Sequence, residues 1–218
     1  MKNILTILFL TVLSFSTLGQ TNAIGIKAGL SWTNISFSHS IDGDFGIDGN
    51  FEQCFLGGLT YDYKTKKNIS FGIELLYEKR KYSGVETFVD PNTNPPLLYL
   101  TGRYSYLSIP VKFGLNFGDK FFGYGNIGVV PAYLLQAIEG KTLIKQNGFV
   151  DYNNTNTSNK FEIGGLLEIG CGYKLSKNIL LISIIRFQKS FTSPDKESTI
   201  FWWGMNCGMG IKYVLPNE

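Results

Sequence analysis

Histidine and cysteine are nearly missing from this 218-residue chain: there is one histidine, His39, and three cysteines, Cys54, Cys171 and Cys207. A lone histidine has no second imidazole with which to form a metal pair, and His39 opens a polar stretch, so it reads as a solvated loop residue. Three cysteines is an odd number, and none stands in CxxC spacing. Neither a disulfide framework nor a zinc site is implied, and all three read as small packing residues. Charge is also scarce, at 17% of the chain against roughly 25% in soluble domains. The 20 basic and 17 acidic residues are interspersed, and without a basic stripe nucleic acid is excluded as a partner. Long apolar runs are absent too. Beyond residue 13 no stretch of about 18 apolar residues occurs, so any membrane crossing must be made by strands.

Aromatics (15%) and glycine (25 residues) are plentiful instead. The chain opens on "MKNILTILFLTVLSFSTLGQTNA", with Lys2 ahead of an apolar run from Ile4 to Leu13 and small residues near Gly19 and Ala23. This is the layout of a secretory signal peptide, residues 1–19, with cleavage as late as residue 23 as an alternative. The run is too short for a spanning helix of about 20 residues, and no cysteine follows it to carry a lipid.

The segment "YSYLSIPVKFGLNF" (104–117) sets Leu107, Ile109, Val111, Phe113, Leu115 and Phe117 on one face and Tyr106, Ser108, Pro110, Lys112, Gly114 and Asn116 on the other. That is period 2 over a whole strand. The pattern recurs in 24–37, 51–63, 69–82, 121–135, 161–173, 179–190 and 201–214, each long enough to cross a hydrocarbon core as a tilted strand. The fifth strand is mixed, and the seventh places Ile182 and Ile184 on the otherwise polar side. Three connections are short and polar, "KTKKN", "GDK" and "KLSKN". The others, roughly 38–50, 83–103, 136–160 and 191–200, are long, contain "VDPNTNPP" and "DYNNTNTSN", and read as solvated, mobile loops. Short turns at one rim and long loops at the other predict an all-β fold: an eight-stranded antiparallel up-and-down transmembrane β-barrel over 24–214, in a bacterial outer membrane.

Odd turn lengths make residues of equal parity face each other across a hairpin. Inward positions are then even-numbered, or odd on the first strand. They carry Asp62, Glu74, Glu78, Glu162 and Glu168 against Lys27, Arg80, Lys112, Arg186 and Lys212. Such balance suits a closed interior, where unpaired charge is costly. Lys27, Glu74, Glu78, Lys112, Glu168, Arg186 and Lys212 are the expected structural interior charges. Glu168 is expected opposite Ile184 across the last short hairpin, and so diagonal to Arg186. Trp32, Tyr61, Tyr63, Tyr77, Phe117, Phe121, Tyr133, Tyr173, Phe187, Trp203 and Tyr213 fall on the apolar faces, as interfacial girdles would.

The strands "IGIKAGLSWTNISF" and "YLSIPVKFGLNF", followed by "FFGYGNIGVVPAYLL", resemble the PorT-like outer-membrane β-barrel proteins of Bacteroidota across the mature chain. The resemblance implies an outer-membrane barrel, and its founding member is associated with protein secretion across that membrane. It supplies no catalytic or binding residues. The ending "IKYVLPNE" departs from barrels that finish on an aromatic residue, since five residues follow Tyr213.

"GYGNIG" (123–128) has the G-x-G-x-x-G spacing of a dinucleotide site. Pro131 falls where the helix would run and no βαβ alternation surrounds it, so the glycines read as crowding within a strand. Asp42, Asp44 and Asp48 superficially suggest a calcium loop, but Gly46 and Gln53 stand where ligands belong. The expectation is a monomeric, non-enzymatic barrel with no cofactor, metal or catalytic site. Its partners would be outer-membrane lipid and lipopolysaccharide, and secretion or surface proteins through the long loops. Two alternatives are an outer-membrane enzyme acting on lipid or surface protein and a soluble lipocalin-like carrier with its apolar face turned inward.

Overall fold

The computed structural model describes residues 21–37, 47–65, 68–86, 98–143, 150–194 and 200–216. The leader, His39, Asp42, Asp44 and Gly46 lie outside them. The strands are β1 (Thr21–Phe37), β2 (Ile47–Lys64), β3 (Ile69–Glu86), β4 (Leu98–Ser108), β5 (Val111–Gly118), β6 (Phe121–Leu143), β7 (Val150–Asn153), β8 (Phe161–Lys174), β9 (Ile179–Ser190) and β10 (Ile200–Val214).

β1 pairs antiparallel with both β2 and β10, and neighbours pair in turn around the sheet until it closes. β4 and β5 act as one spanning strand, since both lie between β3 and β6. The break falls at Ile109–Pro110, because proline has no N–H to give the ladder. Contact persists on both sides: Glu74 N donates to Pro110 O (3.0 Å) and Ile109 N to Pro131 O (2.8 Å). The result is a ring of eight spanning strands with no free edge, the only β solution that satisfies every backbone group inside a bilayer.

Outward positions are large and apolar. Ile127 is 59% exposed while Asn126 beside it is 8% exposed, and Ile26, Leu59, Leu167, Ile169 and Met209 continue the apolar belt around the ring. A surface of this kind must meet lipid rather than water.

Three expectations are corrected. The strands run beyond the expected loop boundaries: β3 reaches Glu86, β4 starts at Leu98, β6 reaches Leu143, and β7 adds a short fourth partner to β6. The sequence of these extensions does not alternate apolar and polar residues, so the pattern did not mark them. The polar stretch 154–158 is also tied down rather than mobile, with Asn154 N and the Thr155 hydroxyl bonded to Ala137 O. Finally, each short hairpin keeps equal parity but pairs one residue later than the centre of its turn. The first rungs are Lys64↔Ser70, Gly118↔Phe122 and Lys174↔Leu180. In the first of them Thr65 N still bonds to Ile69 O (2.8 Å), and the chain reverses with Asn68 at φ 63°. Glu168 therefore faces Arg186 directly, and not Ile184.

Candidate functional site

The inward residues stack in layers along the bore. Near the short-turn rim, Phe122 and Tyr124 of β6 meet Ile182 and Ile184 of β9 in an apolar cluster. This explains the irregular parity of the fifth and seventh strands: apolar residues do point inward there, against one another. Tyr124 lies across from Gly170 and Phe122 across from Gly172. A Cβ on Gly172 would stand 2.2 Å from the Phe122 ring, so these glycines make the floor on which the aromatics lie.

The middle layer is ionic. Glu74 accepts from Lys27 Nζ, Lys112 Nζ and Arg186 Nη2, each at 2.6 Å. Glu168 accepts from Arg186 Nε (2.9 Å) and Nη2, from Lys112 Nζ (2.9 Å) and from Asn126 Nδ2 (2.8 Å). Lys212 pairs with Asp62 at 2.6 Å, and Lys112 stands 3.9 Å from the same carboxylate. Lys27 and Glu74 are 47 residues apart in sequence, and Arg186 and Glu74 are 112 apart, so closure of the ring assembles this layer. A separate cluster lies above it. Arg80 bridges Glu78 (3.1 Å) and Glu162, Tyr106 donates to Glu162 (3.2 Å), and the Arg80 guanidinium sits 4.5 Å from the Tyr106 ring centre.

The layer toward the long loops is aromatic, and sequence reasoning missed it. Tyr104, Tyr106 and Trp202 pack with Ile35, Leu134 and Ala137, and Tyr82 closes against them. The signal was present, because Tyr82, Tyr104, Tyr106 and Trp202 are even-numbered on strands whose even positions face inward. Treating that face as polar hid them.

Of the seven charges expected inside, Lys27, Glu74, Lys112, Glu168 and Arg186 are brought into one cluster, Lys212 joins it through Asp62, and Glu78 belongs to the Arg80 cluster. All seven are buried. Their carboxylates are held by cations within the same layer, which fixes them in place. "GYGNIG" lies wholly within β6, with Gly123 and Gly125 facing outward. Among the described residues no group of three or more histidine, cysteine, aspartate or glutamate side chains is placed to hold a metal ion.

A closed ring of eight strands, apolar outside and ionic within, is a small outer-membrane β-barrel. The chain belongs to the outer membrane protein beta-barrel domain family, which matches it over residues 18–194, and it resides in the bacterial outer membrane. No curated protein matches the sequence. Similar solved structures include OprG from Pseudomonas aeruginosa (12% identity, covering 91% of this chain and 96% of that one, TM-score 0.49). Neisserial surface protein A is similar at 14% identity, 87% and 97% coverage and TM-score 0.44. The outer membrane protease OmpT from Escherichia coli is similar at 10% identity, 91% and 98% coverage and TM-score 0.43.

Proposed function

We propose that this barrel is a non-enzymatic, non-conducting, monomeric outer-membrane protein whose role is exercised by its long loops, in surface interaction or as an accessory to protein secretion. The observation that carries this reading is the filled bore: an aromatic layer and two ionic clusters succeed one another along it, built from side chains that are almost all buried. Eight strands enclose a space just wide enough for side chains to fill, unlike the 16 to 18 strands of a porin. Resemblance to the PorT-like proteins of Bacteroidota favours the secretion-accessory form of the role. Outer-membrane lipid and lipopolysaccharide would surround the apolar belt, and the exposed Lys79 and Lys189 are suited to lipid phosphates. The pairing of Thr21, Asn22 and Ala23 with β2 supports cleavage of the leader after residue 19 rather than 23, since the later cut would remove three rungs. Purified barrel reconstituted into planar bilayers should show no steady single-channel conductance. A stable open pore in the unmodified protein would overturn the reading and make transport the function to pursue.

A further inference from the structure

Below the ionic layer the bore opens at the short-turn rim, the periplasmic one in barrels of this layout, into a vestibule of about 600 Å³. One part of its wall is cationic, with Lys64 at the end of β2, Lys174 at the end of β8, Lys177 in the last short turn and Lys212 on β10. Lys212 is held by Asp62 at 2.6 Å. Lys64, Lys174 and Lys177 have no ion-pair partner among the described residues. Lys174 and, from the neighbouring turn, Asp119 both act on Lys64, so among the described residues the four lysines of the wall stand against two acids, Asp62 and Asp119. Lys64, Lys174 and Lys212 occupy even, inward positions of their strands, so they address the cavity and not the surrounding lipid headgroups. Another part of the wall is apolar, formed by Phe122, Tyr124, Leu180 and Ile182.

Uncompensated cations converging on a concave space beside an apolar wall form a site for a ligand with both characters. The volume lies within the roughly 300 to 1,000 Å³ of small-molecule sites. We propose that the vestibule binds an amphiphilic organic anion, its phosphate or carboxylate head among Lys64, Lys174 and Lys177 and its apolar chain along Phe122, Tyr124, Leu180 and Ile182. Phosphate accepts several charge-assisted hydrogen bonds at once, which three mobile ammonium groups can supply without a fixed fork. Binding here is independent of the loop-borne role, since vestibule and loops are at opposite ends of the barrel.

The test uses the isotope-labelled full barrel in phosphatidylcholine nanodiscs, with backbone amide shifts followed at Lys174, Lys177 and Leu180. Octyl phosphate should produce saturable shifts at these positions. Octyltrimethylammonium, which has the same chain with a cationic head, should not, and inorganic phosphate alone should bind more weakly. The triple change Lys64→Gln, Lys174→Gln, Lys177→Gln removes no ion pair seen in the barrel, and should raise the apparent Kd by about tenfold or more. Phosphatidylglycerol included in the disc separates two sources of the same chemistry: competition with octyl phosphate marks a membrane lipid head, and its lack marks a free amphiphile. Absence of saturable shifts with octyl phosphate, equal binding of the cationic analogue, or an unchanged Kd in the triple variant would each overturn the proposal.

Discussion

Arg186 faces Glu168 across one hairpin and reaches Glu74 across the bore, yet it is not the residue on which the ionic layer most depends. Lys212 and Asp62 neutralise one another, so the remainder is Lys27, Lys112 and Arg186 against Glu74 and Glu168, three cations to two anions. The upper cluster holds one cation, Arg80, against Glu78 and Glu162, and the two layers together balance. Removing an anion from the middle layer leaves three cations around one carboxylate. Removing Arg186 leaves two of each. Glu74→Gln should therefore cost on the order of 3 to 5 kcal/mol, the penalty of stranding buried charge. Arg186→Met should cost about 1 to 3 kcal/mol, mainly from hydrogen bonds left unmade at the carboxylates. Denaturant unfolding of both variants in lipid vesicles decides this, and an equal or reversed order would mean that charge count does not govern the layer.

Along a single element, β6 shows what its glycines are for. Gly123 and Gly125 point outward, where an added Cβ would find its nearest neighbours 3.9 and 4.0 Å away. Gly128 points inward, and a Cβ there would stand 2.2 Å from Val111 O. Gly123→Ala and Gly125→Ala should accordingly leave stability within about 0.5 kcal/mol, as surface changes do, whereas Gly128→Ala should cost about 1 to 3 kcal/mol by overpacking against backbone. Thermal unfolding of the three variants tests the strand reading, since a nucleotide loop would need its first glycines most. The alternation of 104–117 was legible in the sequence because one face meets lipid and the other a charged bore, and the two faces demand opposite chemistry. In the strand extensions the sequence carries no such contrast. Thr101 pairs with Gly140 and Val85 with Tyr99 in strand that no periodicity marks. Parity gave the face on which each interior charge lies, but partners such as Lys27 and Glu74 depend on the closed circumference, which no local pattern encodes. The shift of Glu168 onto Arg186 came from a pairing centred one residue later than the middle of the turn, a detail of turn conformation that polar composition leaves open.

For the whole molecule, closure joins these levels. A ring without edges lets all backbone groups pair, so the exterior is free to be apolar, and the same closure encloses the charges that an apolar exterior cannot carry. The two surfaces should then respond oppositely to one added charge. Ile127 lies mid-strand on the outer face between Phe113 and Leu167, and it is 59% exposed to what must be hydrocarbon. An arginine there should cost about 2 to 4 kcal/mol, the penalty near the bilayer midplane. Asn116 faces the other way, into the roomy vestibule at the short-turn rim, where among the described residues its side-chain amide donates to Asn68 O at 3.4 Å. An arginine at that position can extend into water and should cost little. Asn116→Arg should thus accumulate as folded barrel in the outer membrane at close to the unmodified level, and Ile127→Arg should accumulate severalfold less, as read by heat-modifiable mobility of the membrane fraction. Equal tolerance of both changes would show that the outer face does not meet lipid, and with it the assignment of inside and outside would fall.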